Sequence, residues 1–188
     1  MTGIDFDAPS IVVARALIGT SLFVSGVGGR IVEAEAYDQS EPASHTFGGR
    51  TQRNAVMFGP SGRAYVYRSY GLHWCLNVTC MRPGHGAGVL IRAIEPTRGI
   101  AAMRERRGMD DLRLLCSGPG RLCQALGVTH AMNGLRFDRP PFRLVARGDD
   151  ATFLVGTGPR IGISKSRELP WRFVLAGSAF LSKPMRGG

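Results

Sequence analysis

Lysine is almost absent from this chain of 188 residues, in which Lys165 and Lys183 are the two lysines. An enzyme that forms a Schiff base with its substrate needs an amine nucleophile. The scarcity of lysine therefore argues against that chemistry, and Lys165 is the one lysine in a segment that could approach a site.

Long apolar runs are missing as well. The apolar run over 11–18 includes Arg15 and is shorter than the span of about 20 residues that crosses a bilayer. No charged leader followed by an apolar core and a small-residue cleavage site opens the chain. We therefore expect an intracellular, cytoplasmic protein that does not associate with a membrane.

Cysteine and histidine are few, with four residues of each type. Because no secretory leader is recognised and their surroundings are apolar, the cysteines are expected to be reduced and buried. Their pairwise spacings do not resemble zinc-binding pairs, so no metal site is expected. The cysteines are Cys75, Cys80, Cys116 and Cys123.

Acidic side chains are outnumbered, with 14 against 24 basic ones, which leaves a net charge of +10 and a pI near 10.5. Such an excess of positive charge indicates a polyanionic partner. Nearly all the basic residues are arginines, whose planar guanidinium binds a phosphate through two hydrogen bonds. A GC-rich genome would also favour arginine, but the excess of positive charge does not depend on that bias.

The length and the hydrophobic patterning predict a single domain over 1–188 with an α+β fold. Ser10 and Ser117 are expected to cap helices, 25–29 to form a hairpin loop, and the long polar stretch 38–64 to be a functional loop. The expected helices span 10–17, 97–107 and 117–126. The expected strands, in meander order, span 22–24, 31–37, 65–80 with a break near 69–71, 89–94 ended by Glu95-Pro96, 142–146, 153–155, 160–163 and 171–175.

Two carboxylates share one face of the strand over 31–37. Alternate residues of a strand point the same way, so Glu33, Glu35 and Tyr37 lie opposite the apolar residues between them. Two acids about 6 to 7 Å apart can raise one another's pKa and hold a water molecule, which suits a general base. Ordinary acids on a solvated outer face of the sheet are the alternative, and the strand pattern does not choose between Glu33 and Glu35.

Aromatic residues are concentrated in the segment 65–71. Tyr65 and Tyr67 share a strand face, and Tyr67 together with Tyr37 could enclose a flat base, since base–aromatic stacking contributes about 1–3 kcal/mol per base. Tyr70 lies beside a glycine at the expected bend and could enter a base stack as a wedge. A core strand with one exposed turn tyrosine is the alternative.

Arg92 is the polar residue in the least expected place. It interrupts the apolar strand 89–94, and a buried arginine is rarely unpaired, so it should meet Glu33, Glu35 or a phosphate. A purely structural ion pair is the alternative. His45 in the long loop and Asn77 beyond the aromatic segment are further candidates.

Taken together, these segments resemble the alkyladenine DNA glycosylase family, also called the 3-methyladenine or methylpurine DNA glycosylase family. The resemblance covers essentially the whole chain in the same order. Two segments, 37–45 and 163–171, look shorter than in that family, which leaves the substrate range open. The resembling segments are 31–37, His45, 48–50, 53–54, 57–58, 65–71, Asn77, 89–96, 116–119, 122–126, 160–163 and 172–173.

The resemblance implies a role for particular residues. Glu35 looks like the general base, Arg92 and the backbone of Ile163 look like its partners in holding the attacking water, and Tyr70 looks like the intercalating residue. Tyr37 on one side and His45 with Tyr67 on the other look like the stacking walls of a base pocket, and Asn77 resembles the gate against ordinary guanine.

The resemblance also implies a fold and an activity. We expect a single α+β domain around a curved antiparallel sheet, with no metal and no organic cofactor. The expected activity is monofunctional: alkylated or deaminated purines, such as 3-methyladenine, 7-methylguanine, hypoxanthine and ethenoadenine, are flipped out of duplex DNA and cleaved from the sugar, which leaves an abasic site. The expected setting is base excision repair by a monomer at the nucleoid.

Two other functions fit parts of the sequence. The charge alone would suit a DNA-binding protein without catalysis. The pair Glu33 and Glu35 would suit a hydrolase of small nucleosides.

Overall fold

The computed structural model describes residues 3–148 and 153–185. In these residues three helices surround a curved antiparallel sheet, which confirms the predicted α+β class. The helices are α1 (Ser10–Leu17), α2 (Ile100–Arg107) and α3 (Pro119–Leu126), with 3₁₀ turns at Ala55–Phe58, Leu112–Leu114 and His130–Met132. The strands are β1 (Ser21–Val24), β2 (Val27–Asp38), β3 (Ala64–Ser69), β4 (His73–Thr79), β5 (Ala87–Arg98), β6 (Phe142–Val145), β7 (Val155–Gly158) and β8 (Arg172–Leu175).

The strand order corrects the expected meander. The order is β3-β4-β5-β2-β1-β6, and the β7–β8 hairpin attaches to β2 through β8. The long connection after β2 takes the chain to the far edge of the sheet, and β3, β4 and β5 then return to β2. Strands β2 and β5 are 12 residues each and pair from Gly28 to Asp38, so this pair forms the centre of the sheet.

Strand periodicity separates the core from the opposite face of the sheet. On β2, Val32, Ala34 and Ala36 belong to the hydrophobic core, and the alternate residues of β3, β4 and β5 join them. Helix α1 packs on β2 and β5, and α3 packs on β4 and β5. The residues between the core positions, Glu33, Glu35 and Tyr37 on β2 among them, are left for the other face. All four cysteines are free and buried, as predicted.

The loop expected over 25–29 is a two-residue turn. Ser25 and Gly26 have φ of 49° and 83°, and β2 begins at Val27. Gly28 and Gly29 are strand residues that allow close approach of the neighbouring strands, since a Cβ atom would lie 2.0 Å from Leu22 O and 1.9 Å from Glu95 O, respectively. Glycine is therefore needed at these two positions for close packing of the strands, and the expectation of a loop over 25–29 was wrong for 27–29.

Several other expectations were wrong in detail. The helix expected over 97–107 begins at Ile100, because 97–98 belong to β5, and the strand expected over 153–155 spans Val155–Gly158. Strand β5 continues through Pro96, which pairs with Gly29 at a register shift where the ladder is already interrupted. Residues 160–163 form a bend and not a strand. Neither Ser10 nor Ser117 caps a helix, because Pro9 and Gly118 occupy the N-cap positions.

Among the described residues, no helix combines the length and the apolarity that crossing a membrane requires.

Candidate active site

A cavity of about 750 Å³ opens on the face of the sheet opposite the core. Its walls come from the end of β2, the β3–β4 hairpin, the loop after β2 and the segment 161–165. A volume in this range is typical of a pocket for a small molecule or a nucleobase. The predicted site residues that border it are Tyr37, His45, Tyr67, Tyr70, Asn77, Arg92 and Ile163.

One cross-strand row forms the floor of this region. Tyr65 pairs with Asn77, Asn77 with Leu90, Leu90 with Glu35, and Glu35 with Arg172. Residues in register on adjacent antiparallel strands have neighbouring side chains. The sheet register therefore brings together groups that are far apart in the sequence.

Glu35 lies directly behind the cavity wall. Its side chain is fully buried and accepts three hydrogen bonds: from Tyr37 Oη at 2.9 Å, from Arg92 Nη1 at 3.2 Å, and from the Ile161 backbone amide at 2.7 Å. All three donors border the cavity. Full burial excludes the alternative of an ordinary acid on a solvated face. The backbone amide that contacts Glu35 belongs to Ile161, two residues before Ile163, which borders the same cavity.

Glu33 is fully buried as well but faces a different set of partners. It accepts hydrogen bonds from Arg92 Nε at 3.1 Å and Arg172 Nε at 2.8 Å, and from the Ser182 amide and hydroxyl at 2.6 and 2.8 Å. Neither Glu33 nor Glu35 itself borders the cavity, but two of the residues that donate to Glu33, Arg172 and Ser182, also lie outside its lining. Glu33 thus holds Arg92 from behind and binds the C-terminal segment to the sheet.

Arg92 joins the two carboxylates, as its position in an apolar strand predicted. Burial alone would lower the pKa of Arg92, but the charges of Glu35 and Glu33 outweigh it and raise the pKa. Arg92 therefore remains a cation between two acids.

Aromatic rings form one wall of the cavity. Tyr65 and Tyr67 stack with centroids 5.4 Å apart, and the His45 ring meets the Tyr67 ring edge-on at 4.5 Å. Burial raises the pKa of both phenols. Although His45 is exposed at the cavity mouth, partial desolvation, together with the charge of Arg53, lowers its pKa. This wall is therefore uncharged near neutral pH.

Tyr37 forms another wall and contacts the buried acid. Its hydroxyl donates to Glu35, and burial together with that carboxylate raises its pKa far above the usual value. The Arg160 guanidinium lies 4.6 Å from the Tyr37 ring centroid.

Tyr70 occupies the tip of the β3–β4 hairpin at the cavity rim. It is 87% exposed and has φ of +49°, followed by Gly71 at +69°. A positive φ is uncommon for a residue with a side chain, and the adjacent glycine makes the tight turn accessible. Leu72 on the same tip is also exposed.

Asn77 lies deep in the cavity and is almost completely buried. Its Nδ2 donates to the Tyr65 backbone carbonyl at 3.0 Å, which fixes the orientation of the amide.

The rim of the cavity carries positive charge from Arg53, Arg68 and Lys165. Within the described parts of the chain, no three His, Cys, Asp or Glu side chains are grouped to hold a metal ion.

Sequence reasoning missed the residues that hold these walls in place. Arg160 was assigned to a strand, but its buried side chain pairs with Glu41, 119 positions away. The Ile161 amide has no side-chain signature that could have revealed it.

Comparison with known proteins identifies relatives over nearly the whole chain. The family model described as methylpurine-DNA glycosylase matches residues 4–179. A protein of Nitrosospira multiformis is 63% identical over 183 residues, which is 97% of this chain and 94% of the relative. Proteins of Rhodopseudomonas palustris (strain BisB18) and Bradyrhizobium diazoefficiens are 63% and 60% identical over 172 residues, 92% of this chain and 85% of each relative. All three relatives carry the name "Putative 3-methyladenine DNA glycosylase".

Proposed function

The chain belongs to the methylpurine-DNA glycosylase family and is a DNA glycosylase; from this premise we propose that it turns damaged purines out of duplex DNA into the cavity and hydrolyses their glycosidic bonds with water activated by Glu35. The observation that carries the proposal is the setting of Glu35, a buried carboxylate whose three donors all border an aromatic-walled cavity.

The chemistry required is modest. When a purine leaves, its sugar develops oxocarbenium character, which a nearby carboxylate stabilises while it deprotonates the incoming water. A carboxylate offers about four acceptor positions, and donors within the protein fill three of those on Glu35. The remaining position would accept the water, with Arg92 and the 161–163 backbone, including Ile163, orienting it.

The geometry of the walls supports a base-binding role. A flat purine would stack between Tyr37 on one side and His45 with Tyr67 on the other. Asn77 at the base of the cavity would exclude ordinary guanine, whose exocyclic amine would clash with it. Tyr70 at the exposed tip would fill the gap left in the duplex.

Within the damaged purines, we propose a preference for cationic ones such as 3-methyladenine and 7-methylguanine. A cationic base leaves without further protonation, whereas hypoxanthine and ethenoadenine require a proton. The lowered pKa of His45 and the raised pKa values of Tyr65 and Tyr67 make the ring wall a poor proton donor at neutral pH. The excess positive charge would bring a monomer to duplex DNA inside the cell, with binding that weakens as salt rises.

A base-release assay on duplexes that carry each of the four lesions tests this proposal. We expect free base without strand nicking. The rate enhancement over spontaneous release should be larger for the cationic lesions than for the neutral ones. Salt-sensitive binding with no base release would instead support a DNA-binding protein without catalysis. Equal activity on free nucleosides and on duplex would support a small-nucleoside hydrolase.

A further inference from the structure

A deeply buried ion pair beside the cavity joins Arg160 to Glu41. Arg160 Nη1 and Nη2 donate to the two Glu41 carboxylate oxygens at 2.6 and 3.0 Å, and Nη1 also donates to the Ala36 carbonyl at 2.9 Å. The Arg160 side chain has no exposed surface, and its Nε is buried without a partner among the described residues. Because desolvation offsets much of the attraction in such a pair, stability alone does not account for it.

The guanidinium group supports an aromatic wall. It lies over two rings, 4.6 Å from the centroid of Tyr37 and 5.3 Å from that of Trp171. A planar guanidinium stacks on aromatic faces, so it covers one face of the Tyr37 ring. The phenol of that ring is the one that donates to Glu35.

The backbone next to Arg160 reaches the buried acid directly. Ile161 donates its amide to Glu35 Oε1 at 2.7 Å. A residue whose side chain is fixed at several points determines where the following amide lies. The Arg160 side chain therefore helps to set the position of this hydrogen bond.

The partner carboxylate fixes the loop that follows β2. Glu41 Oε2 also accepts the Ala43 amide at 2.8 Å. This loop continues to His45, whose ring meets Tyr67. One ion pair thus connects the segment 160–161 to the loop that carries the opposite side of the cavity.

We propose that Arg160, through its pair with Glu41, is a positioning residue. It sets the positions of three groups relative to one another: the Tyr37 ring, the Ile161 amide that donates to Glu35, and the loop that carries His45. The inference rests on the proposed function. Arg160 does not itself border the cavity, so it acts through these three groups.

The test compares paired variants in single-turnover base release. Arg160→Met combined with Glu41→Gln removes both buried charges together, which avoids the cost of an unpaired one. Arg160→Lys keeps the charge but loses the planar fork. The matched control is Arg136→Met with Asp138→Asn, which removes an exposed Arg–Asp pair outside the cavity. Ethenoadenine fluorescence in a duplex reports the flipped base independently of its release.

We expect the double variant to lose about 10²-fold in the single-turnover rate, the magnitude that a misplacement of about 1 Å produces, while its affinity for undamaged duplex stays unchanged. Compared with the double variant, Arg160→Lys should have a melting temperature closer to that of the wild type, while its single-turnover rate stays low. The control pair should leave both the melting temperature and the rate unchanged. A folded double variant with the wild-type rate and wild-type ethenoadenine signal would overturn the inference and leave the proposed function intact. A wild-type protein that shows neither base release nor the ethenoadenine signal would overturn both.

Discussion

Replacing Glu35 with glutamine tests the centre of the proposed mechanism. Glutamine has nearly the same shape, but its amide nitrogen cannot accept hydrogen bonds. One end of the side chain would therefore oppose a donor, either the Ile161 amide or the pair Tyr37 Oη and Arg92 Nη1. The variant also loses the negative charge that would deprotonate water and stabilise the sugar cation.

The expected loss of rate follows from the role of a general base. Such a group contributes about 10²–10⁴-fold, which corresponds to about 3–5 kcal/mol of transition-state stabilisation. The loss of stability should be smaller, about 1–3 kcal/mol for one unsatisfied buried group. Arg92 is not left unpaired, because Glu33 still lies 3.1 Å from its Nε. Affinity for duplex DNA should be unchanged, because Glu35 has no exposed surface.

The assay is single-turnover base release with enzyme in excess, run beside duplex binding at one salt concentration. Glu95→Gln is a matched control, because Glu95 pairs loosely with Arg30 at 3.7 Å and does not border the cavity. We expect the control to keep the wild-type rate. Base release by Glu35→Gln at a rate close to that of the wild type would refute the assignment of Glu35 as the general base.

Three other changes give separate tests. Tyr70→Ala should weaken base flipping, measured by ethenoadenine fluorescence, about 5- to 150-fold, because a stacking contact contributes about 1–3 kcal/mol. Stability should stay the same, because Tyr70 is 87% exposed. An unchanged fluorescence signal would contradict the wedge role. Glu33→Gln should lower the free energy of unfolding by about 3–5 kcal/mol in a urea titration, because the buried charges of Arg92 and Arg172 lose a shared carboxylate partner. A loss of rate without a loss of stability would instead implicate Glu33 in proton transfer. Burial would raise the pKa of Asp38, but hydrogen bonds from His85 and Ser40 outweigh it and lower the pKa. The Asp38 carboxylate with these partners therefore stabilises the fold above the ordinary Asp pKa, and this stabilisation is lost as the pH falls below about 4. The stability difference between wild type and Asp38→Asn should therefore shrink between pH 7 and pH 3, and a constant difference would contradict the pairing.

Much of the site could be predicted because strands report their faces in sequence. The alternation over 31–37 placed Glu33, Glu35 and Tyr37 together, and the same rule placed Tyr65 beside Tyr67. The apolar surroundings of Arg92 correctly predicted a carboxylate partner. In each case a period of two residues, or one charge among apolar neighbours, carries the information locally.

The remaining features depend on contacts that no local pattern records. Arg160 and Glu41 look like ordinary surface charges in sequence, and they lie 119 positions apart in the chain. Gly28 and Gly29 have the composition of a flexible loop, and only the nearby carbonyl oxygens show why glycine is needed. The strand order likewise depends on where the long loop delivers β3.

The choice between the two acids illustrates what the three-dimensional structure adds. Glu33 lies at a break in the β2–β5 register and receives four donors, from Arg92, Arg172 and Ser182. Glu35 receives three, and one of them is a neutral phenol on a side chain that borders the cavity. On Glu33, three of the donors share Oε1 and Oε2 accepts the Ser182 amide, whereas on Glu35 Oε2 accepts two donors and Oε1 accepts the Ile161 amide. The two acids share a face and an arginine, but all three donors to Glu35 border the cavity whereas Arg172 and Ser182, which donate to Glu33, do not, and this difference is the reason that we propose Glu35 as the acid that accepts a water molecule.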